Sequence, residues 1–518
     1  MKGQPEMSSN PTVQWDYIVV GGGTSGAIMA SRLSEDPSVR VLVLEAGPDF
    51  PASEAPSDFS GIDLEAIGRL AEYPDLYWPQ VVARPNGTQE PMLYERGRGV
   101  GGSSSINAMV ALRGSSEDYD SWAAEGASGW AFADVLTSFR RLERDLDFPE
   151  SDFHSSTGPI PIYREPESEW GGIDRALKES ALLAGHPWTE DANAPDATGV
   201  SPVPANYQDG KRVSTNAGYL EAARSRSNIT IKGDVLVDRV LITDSVTRGV
   251  QLADGSTHRV AEGGEVILSA GAINSPTILQ RSGIGPADLL AQLGIDVVAD
   301  LPVGDGLQDH AGVWLAFPST DAARRSTSPR PTHILLRYSS NIGESRPNDM
   351  MMMGANEAFF PGQHGSALGV ILHQPFSRGS VRITSTDPAV GPEVDMNLLQ
   401  HPADRARISD GLRRAHELLE SPPFSEYVVR QPARLDEEAQ RARAMWVWHA
   451  SSTCRMGGAD SAQAVVGPDA RVRGVDGLRV ADASIMPSVP SAPTNIAAMM
   501  IGEHVAAIIR RDIRASRN

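Results

Sequence analysis

The clearest pattern of hydrophobic and polar positions lies near the N-terminus. The apolar run Tyr17–Val20 predicts a short buried strand, and the glycines that follow it predict a tight turn. From Thr24 onward the apolar positions recur with helical spacing, and Val41–Leu44 then form a second apolar run that ends in Glu45. This order of strand, turn, helix and strand predicts a βαβ mononucleotide-binding unit.

Patterning further along the chain is less regular. Residues 46–95 are rich in proline, glycine and acidic side chains and predict long loops, whereas residues 118–146 have the spacing of a helix. Residues 228–270 alternate apolar and polar positions around Asp254–Gly255, which predicts hairpins. The fold class predicted from this first half is α/β, with α+β character overall.

The second half predicts a separate sheet. Residues 312–440 contain strand-like segments such as "THILLRY" and "SALGVILH" but few glycine-rich turns of the phosphate-binding type. That combination favours an antiparallel sheet with helices. A final helix is predicted to begin at about Asn495.

Three glycines of the first unit have the G-x-G-x-x-G spacing. Gly21 permits the turn, Gly23 lets the backbone approach a pyrophosphate, and Gly26 lets helix and strand pack closely. Glu45 ends the second strand, where an acid can hold ribose hydroxyls and disfavours the 2′-phosphate of NADP. An ordinary glycine-rich turn is the alternative. The strand, the helix, the second strand and the acid all stand at the expected spacing, which favours a dinucleotide site. NAD and FAD both remain open on this pattern alone.

Composition narrows the class of partner. The chain has 518 residues, which suggests two or more domains, and its formal net charge is −20. Such an acidic surface repels nucleic acid and anionic membrane, so neither is an expected partner. One cysteine among the 518 residues excludes an intrachain disulfide and a cysteine-cluster metal site, and no metal is predicted. The N-terminus lacks the apolar core of a signal peptide, so a cytoplasmic enzyme is expected.

Three longer segments carry a resemblance to a known family. They are "RGRGVGGSSSINAMVALRG" (96–114), "AGAINSPTILQRSGIGP" (270–286) and "GLRVADASIMPSVPSAPTNIAAMMIGEHVA" (477–506). Together the three segments resemble a glucose–methanol–choline (GMC) flavoprotein oxidoreductase. Shorter stretches such as "DYDSW" and "GPIPI" are most similar to the 5-hydroxymethylfurfural oxidases and aryl-alcohol oxidases of that family.

The resemblance implies FAD as the cofactor. Some members attach flavin through a histidine in the first segment, but this chain has Ile106 and no histidine nearby, so non-covalent FAD is expected. The implied cofactor-binding residues are Gly21, Gly23, Thr24, Ser25, Gly26, Glu45, Ala46, Trp78, Arg98, Val100, Gly102, Ser103, Asn107, Ala108, Met109, Val110, Val237, Ala270, Trp448, Asp482, Ala483, Asn495 and Ile496.

The resemblance also implies a discontinuous domain organisation. Residues 1–14 are expected to be a flexible tail. A Rossmann-like FAD-binding domain is expected to combine residues 15–158, 215–311 and 445–518, and a substrate-binding domain to combine residues 159–214 and 312–444.

A histidine and an amide are the implied catalytic pair. In the family a histidine before the last strand takes the hydroxyl proton, which matches His449, and a polar residue at the start of the final helix matches Asn495. The amide of Asn495 would hold the alkoxide, and its carbonyl could orient the histidine. Cys454 lies close to His449 in sequence, but hydride transfer needs no thiol nucleophile, so Cys454 is predicted to be a small packed hydrophobe.

The substrate side is harder to read. Candidate pocket residues are Met353, Ile371, His373, Val447 and Trp448, and Gly369 and Ile371 are expected to open the pocket to a bulkier alcohol. The function implied is oxidation of a primary alcohol, aryl or furanic favoured, to the aldehyde by hydride transfer to flavin N5. Dioxygen is favoured as the acceptor, giving H2O2. The alternatives are a dehydrogenase with another acceptor, a non-redox hydroxynitrile-lyase-like member and a binding flavoprotein without turnover.

Overall fold

The computed structural model describes residues 14–64, 70–357 and 365–517. The predicted flexible tail lies outside these residues except for Gln14, which opens the first strand. Among the described residues, no helix combines the length and the apolar character that a membrane span requires.

Strands are distributed along the whole described chain. In chain order they are β1 (Gln14–Val20), β2 (Val41–Leu44), β3 (Val82–Arg84), β4 (Met92–Leu93), β5 (Glu143–Asp145), β6 (Ile160–Ile162), β7 (Gly199–Pro202), β8 (Tyr207–Gln208), β9 (Lys211–Arg212), β10 (Ile229–Lys232), β11 (Val237–Thr243), β12 (Val246–Leu252), β13 (Thr257–Leu268), β14 (Ile284–Gly285), β15 (Ala299–Asp300), β16 (Asp305–Leu307), β17 (Ala311–Phe317), β18 (Ile334–Tyr338), β19 (Met350–Ala355), β20 (Ser366–Leu372), β21 (Gly379–Arg382), β22 (Glu393–Asp395), β23 (Met445–Trp446) and β24 (Leu478–Val480).

Helices alternate with these strands. The α-helices span Thr24–Leu33, Ser57–Ser60, Ser116–Ala124, Phe132–Leu142, Gly172–Leu183, Glu221–Ala223, Gly271–Arg281, Ala287–Gln292, Asp321–Arg324, Pro402–Leu419, Pro422–Ser425, Glu437–Arg443 and Thr494–Arg517. Short 3₁₀ turns lie at Ala52–Glu54, Leu70–Glu72, Pro74–Leu76, Gly102–Ser105, Glu167–Glu169 and Ala483–Ile485, and a π-helical turn lies at Asn216–Leu220.

A seven-stranded sheet carries the predicted mononucleotide unit. Its order is β10-β2-β1-β13-β12-β11, and β24 also pairs with β13. Strands β10, β2, β1, β13 and β24 pair in parallel, whereas β11 and β12 join in antiparallel fashion. Every residue of β2 is buried, as expected for a parallel strand covered on both faces. The predicted strand–helix–strand unit and the predicted hairpin are both present.

The final helix packs on the first one. Thr494–Arg517 begins within one residue of the predicted start, and it lies against Thr24–Leu33. The hydroxyl of Ser25 donates to the Ala498 carbonyl at 2.8 Å, and a Cβ on Gly502 would lie 2.9 Å from the Ser25 carbonyl oxygen. The start of the final helix is therefore fixed close to the glycine-rich turn.

A second, six-stranded sheet has the order β23-β17-β20-β19-β18-β7. All its pairs are antiparallel, as the pattern of residues 312–440 predicts. Strand β23 pairs with β17, although the sequence assigns residues 445–446 to the FAD-binding domain. The segment just before His449 is thus built into this sheet.

One secondary-structure prediction is wrong, and a second holds only in part. Residues 46–95 are not only loops, because β3 and β4 join β16, β21 and β22 in a five-stranded sheet and Ala83 is fully buried there. Residues 118–146 are mostly helical as predicted, but they form two helices and end in strand β5. Gly126 and Gly129 separate the two helices, and both have positive φ angles that a helix does not allow.

Candidate active site

The first glycine turn is built so that side chains are excluded. Gly21 has a φ of +95°, and a Cβ on it would lie 2.6 Å from the Ser269 carbonyl oxygen. A Cβ on Gly26 would lie 1.9 Å from the Gly21 carbonyl oxygen. Only glycine fits either position. The helix begins at Thr24, so the N–H groups of residues 24–26 have no acceptor within the helix and are available to an anion.

A second glycine loop packs directly against this turn. The Gly101 N–H donates to the Gly22 carbonyl at 2.8 Å. A Cβ on Gly102 would lie 2.8 Å from the Gly23 Cα, and Gly102 has a φ of +51°. The backbones of the two loops therefore touch, which brings Gly102 and Ser103 beside the helix N-terminus as the sequence motifs predict.

Glu45 connects these loops. Its carboxylate accepts from the Gly22 N–H at 2.7 Å and from the Gly47 and Gly99 N–H groups, both at 2.9 Å. Burial raises the pKa of Glu45, and the three backbone N–H groups act in the opposite direction. The sequence did not reveal this organising role. Contact of Glu45 with ribose hydroxyls stays a prediction.

A cleft of about 730 Å³ opens beside the two loops. It extends from the turn at Gly21 to Val237, and the Arg98 guanidinium lies 5.6 Å from the ring centre of Trp78 near its edge. The predicted cofactor-binding residues that line it are Gly21, Gly23, Glu45, Ala46, Trp78, Gly102, Val237 and Ala270. Shape and donors fit the adenosine and pyrophosphate parts of a dinucleotide.

Two other predicted cofactor residues, Asp482 and Asn107, are held in place by hydrogen bonds within the protein. The Asp482 carboxylate accepts from the Gly271 N–H at 2.9 Å and from the Ser275 hydroxyl at 2.6 Å, and burial raises its pKa. The Asn107 carbonyl oxygen accepts from Arg212 at 2.8 Å and from the Met109 N–H at 3.0 Å. Its amide nitrogen is the group that remains for a cofactor.

Several of the remaining residues would act through their backbone. Ser25 already uses its hydroxyl on the final helix, and the side chains of Val100, Met109 and Ile496 are almost fully buried. Met109 also has a φ of +61°, a strained value for a side chain of this size.

His449 lies in a chain of hydrogen bonds whose direction can be assigned. Its Nδ1 lies 2.8 Å from Nδ1 of His310, and Nε2 of His310 lies 2.9 Å from the Pro490 carbonyl oxygen. A carbonyl only accepts, so His310 carries its proton on Nε2 and accepts at Nδ1. His449 must then donate from Nδ1, and its Nε2 keeps a free lone pair. This is the tautomer that a general base requires.

The surroundings keep both rings neutral. Burial lowers the pKa of His310 to about 4. Burial also holds the pKa of His449 well below its usual range, and the neighbouring His310 and Arg96 add to this effect. His449 is therefore unprotonated at neutral pH.

The backbone around His449 is held by one acid and one cation. Asp309 accepts from the His449 N–H at 2.9 Å and from the Tyr94 hydroxyl at 2.6 Å, and burial raises the pKa of Asp309 to about 6. Arg96 donates to the Trp448 carbonyl at 2.6 Å. Trp448 has a φ of +61°, so these contacts maintain a strained conformation beside the base.

Asn495 is arranged differently from the prediction. Its amide nitrogen donates to the Asn206 carbonyl oxygen at 3.2 Å, and its own carbonyl oxygen is buried with no hydrogen-bond partner. The expected bond from this carbonyl to His449 is therefore not formed, because His310 occupies Nδ1 of His449. One N–H of Asn495 remains available to a substrate oxygen.

Three of the predicted substrate residues come together. Met353, Ile371 and Val447 lie in one apolar cluster, whose other members are Val110, Leu112, Ala192, Val203, Leu335, Met351, Ala492, Ala108 and Trp314. His373 and Trp448 belong elsewhere: His373 packs on His310 with ring centres 4.7 Å apart, and Trp448 packs against the core of the second sheet.

The expectation that Gly369 opens the pocket is wrong. Gly369 on β20 faces Trp314 on β17, and a Cβ on Gly369 would lie 2.8 Å from the indole ring. The missing side chain makes room for Trp314, which supplies an aromatic wall that the sequence did not reveal.

Sequence reasoning missed His310 and Trp314. His310 stands 139 positions before its partner His449, and the only local sign is an Asp-His pair after a glycine-rich turn. Trp314 could have been found only from the register of β17 against β20.

Cys454 has no part in this arrangement. It is fully buried in the core of the first sheet, and burial raises the pKa of its thiol far above the usual range. The prediction of a packed hydrophobe is confirmed.

Comparisons with known proteins identify the family of this chain. Residues 15–312 match the N-terminal part of the GMC oxidoreductase family, and residues 375–502 match its C-terminal part. The chain belongs to the GMC oxidoreductase family. This membership confirms the resemblance seen in the three sequence segments and the mixed α/β fold class.

Individual GMC proteins are similar over nearly their full length. A 5-(hydroxymethyl)furfural oxidase of Methylovorus sp. (strain MP688) is 38% identical over 95% of this chain and 98% of its own. An oxygen-dependent choline dehydrogenase of Escherichia coli O127:H6 (strain E2348/69 / EPEC) is 33% identical over 96% of both chains. The structure of a fungal aryl-alcohol oxidase superposes with a TM-score of 0.83 at 26% identity, covering 97% of this chain and 99% of its own.

Proposed function

We propose that this GMC oxidoreductase oxidises an aryl or furanic primary alcohol to the aldehyde, with non-covalently bound FAD and dioxygen as the acceptor. Family membership supports alcohol oxidation by a flavoenzyme. The observation that carries the proposal is the free Nε2 of His449, held in one tautomer by His310.

The residues present suit FAD. The turn at Gly21–Gly23, the N–H groups at the helix start and the loop at Gly102 would hold the pyrophosphate, and the cleft ending at Val237 would hold the adenosine. When bound, FAD supplies the acceptor for the hydride at its N5 atom. Ile106 stands where a covalent histidine link would lie, so the flavin should be released by acid denaturation.

The chain itself supplies the proton chemistry. His449 takes the hydroxyl proton at Nε2, and His310 with the Pro490 carbonyl keeps that lone pair in place. The low pKa of His449 keeps it ready as a base at neutral pH. The free N–H of Asn495 can donate to the alcohol oxygen as negative charge develops on it.

The apolar cluster favours an aromatic ring next to the alcohol. Trp314 and Met353 offer flat and polarisable surfaces.

Two sets of measurements test the proposal. A panel of benzylic, furanic, linear and choline-type alcohols is mixed anaerobically with the enzyme, and bleaching of the flavin is followed. Benzylic and furanic alcohols should bleach fastest. Repeating the reaction in air should give one H2O2 per aldehyde. Bleaching without peroxide would favour a dehydrogenase, and no bleaching by any alcohol would contradict the proposed function.

A further inference from the structure

Arg330 is a buried cation that forms no ion pair with any carboxylate of the described residues. Only 2% of its surface is exposed, and its NH1 group is buried with no hydrogen-bond partner. Its one hydrogen bond runs from NH2 to the Ala108 carbonyl at a long 3.3 Å. Burying an unpaired guanidinium costs several kcal/mol, so such a group is expected to meet a negative charge.

Glu165, whose charge acts on Arg330, already has other hydrogen-bond partners. Glu165 accepts from the Tyr207 hydroxyl at 2.5 Å, and its other oxygen lies 2.6 Å from Nε2 of His333. Among the described residues, no carboxylate lies within 4 Å of Arg330. The guanidinium instead rests 5.5 Å from the ring centre of Tyr207.

A second buried arginine strengthens the positive field. Arg212 donates to the Phe59 carbonyl at 2.9 Å and to the Asn107 side chain at 2.8 Å, both uncharged. Burial and the nearby Arg330 lower the pKa of Arg212 to about 9. Arg212 and Arg330 are thus two buried cations that repel each other, and neither forms an ion pair within the part of the chain that the structure describes.

Arg330 borders the substrate cluster. Ala108, whose carbonyl holds Arg330, packs against the apolar cluster of Met353 and Trp314 on one side and against the cluster of Tyr207 and Met109 on the other. Its side chain is a single methyl group. The Ala108 backbone therefore places the Arg330 guanidinium at the edge of the apolar cluster.

We infer that the natural alcohol carries a carboxylate, and that Arg330 binds this group while the aromatic ring lies in the apolar cluster. The inference rests on the proposed function and narrows its substrate class to hydroxymethyl-substituted aromatic or furanic acids. A charged hydrogen bond of this kind should strengthen binding about 10- to 100-fold.

The test compares an acid with its ester. 4-(Hydroxymethyl)benzoate and its methyl ester are used in anaerobic flavin reduction with wild type, Arg330→Gln, Arg330→Lys and, as a matched control, Arg325→Gln on the exposed part of the same segment. Wild type and Arg325→Gln should prefer the acid by at least about 10-fold in kcat/KM. Arg330→Gln should lose the preference through KM, and Arg330→Lys should keep part of it.

Calorimetric titration with benzoate separates the two proposals, because it needs no turnover. Benzoate should bind wild type and Arg325→Gln and bind Arg330→Gln about 10-fold more weakly. Weaker benzoate binding by Arg330→Gln, together with no oxidation of any alcohol, would support the carboxylate-binding role of Arg330 and contradict the proposed function. Oxidation of the ester as fast as the acid by wild type, or equal benzoate affinity in wild type and Arg330→Gln, would overturn the inference. The comparison of acid and ester oxidation by wild type tests the inference even if Arg330→Gln fails to fold.

Discussion

At the scale of single residues, the chemistry depends on how His449 is held. A lone histidine has two equivalent ways to carry its proton, and the chain from Pro490 through His310 selects one of them. His310 does not need to contact the alcohol to matter. Its effect is to keep Nε2 of His449 unprotonated and oriented.

Replacing His310 tests this positioning role. His310→Ala should slow flavin reduction about 10- to 100-fold, because His449 loses the acceptor for its Nδ1 proton. His310→Gln is the matched control, since an amide can donate to Pro490 and accept from His449, and it should restore most of the rate. Equal rates in wild type and His310→Ala, with equal FAD content, would exclude the role.

The pH dependence tests the electrostatics of the base. Burial holds the pKa of His449 below its usual range, so the neutral form persists as the pH falls through 6.5. The rate of flavin reduction should therefore stay level from pH 8 to pH 6.5 and fall only below that. Stopped-flow measurements that show a half-maximal rate above pH 7 would contradict this reading.

Sequence could supply His449 but not its partner. His449 stands in a segment whose neighbours resemble a family motif, so resemblance alone identifies it. The segment of His310 meets that of His449 through the pairing of β17 with β23, the bridge between Gln308 and Ser451, and the bond of Asp309 to the His449 backbone. Such contacts between distant segments leave no periodic signal in the chain.

At the scale of elements, the two glycine loops form one backbone surface, which we predict binds the pyrophosphate of the cofactor. Gly23 ends the turn and Gly26 lies in the first turn of the helix, so the two glycines have different neighbours. The nearest atom to a Cβ on Gly23 is the Gly102 Cα at 3.7 Å, an ordinary contact, whereas a Cβ on Gly26 would collide with the Gly21 carbonyl.

Alanine at these two glycines should therefore have different effects. Gly23→Ala should fold with a free energy of unfolding of the apoprotein within about 0.5 kcal/mol of wild type, yet lose FAD because the Cβ blocks the approach of the pyrophosphate. Gly26→Ala should be destabilised in the apoprotein itself. Visible absorbance gives FAD content, and urea unfolding gives stability. Full FAD content in Gly23→Ala would contradict the predicted phosphate site.

The pairing of β17 with β20 places an aromatic wall in the apolar cluster. Trp314→Ala should lower kcat/KM for benzylic alcohols about 10-fold, with a smaller loss for linear alcohols, because the aromatic contact is removed. Trp188→Ala, at a partly exposed tryptophan, is the control and should leave both values unchanged. A uniform loss for all alcohols would indicate a structural effect instead.

At the scale of the whole molecule, buried charges tie distant segments together. His154 lies 2.8 Å from Glu143 and 2.8 Å from Asp191, while Arg113 pairs with Glu143 and Arg164 with Asp145. The carboxylates raise the pKa of His154 to about 9 despite its burial. This network connects residues 113–154 with the segments at 164 and 191.

This raised pKa predicts how stability changes with pH. The unfolded chain binds the proton with an ordinary pKa near 6.5, so the stabilisation is complete below pH 6.5 and is lost as the pH rises through about 9. The free energy of unfolding should fall from pH 6.5 to pH 9.5. His154→Gln should be less stable at pH 6.5 and show a flatter profile. Urea unfolding at several pH values measures both, and a rise over this range would contradict the assignment.

The large-scale division of the chain was harder to predict than its motifs. The parallel sheet could be read from contiguous strands and turns, because β1, the first helix and β2 follow one another directly. The five-stranded sheet could not, since it joins β3 and β4 with strands roughly 200 to 300 positions later. Short strands of two or three residues also carry too little pattern to stand out from loops.

The central claim is that the unprotonated Nε2 of His449 takes the hydroxyl proton of an alcohol. The most direct test is anaerobic reduction of the bound flavin by benzyl alcohol in wild type and His449→Asn, matched for FAD content. We predict that His449→Asn slows reduction by a factor of about 10² to 10⁴. An unchanged rate of reduction in a variant that binds FAD normally would contradict the account.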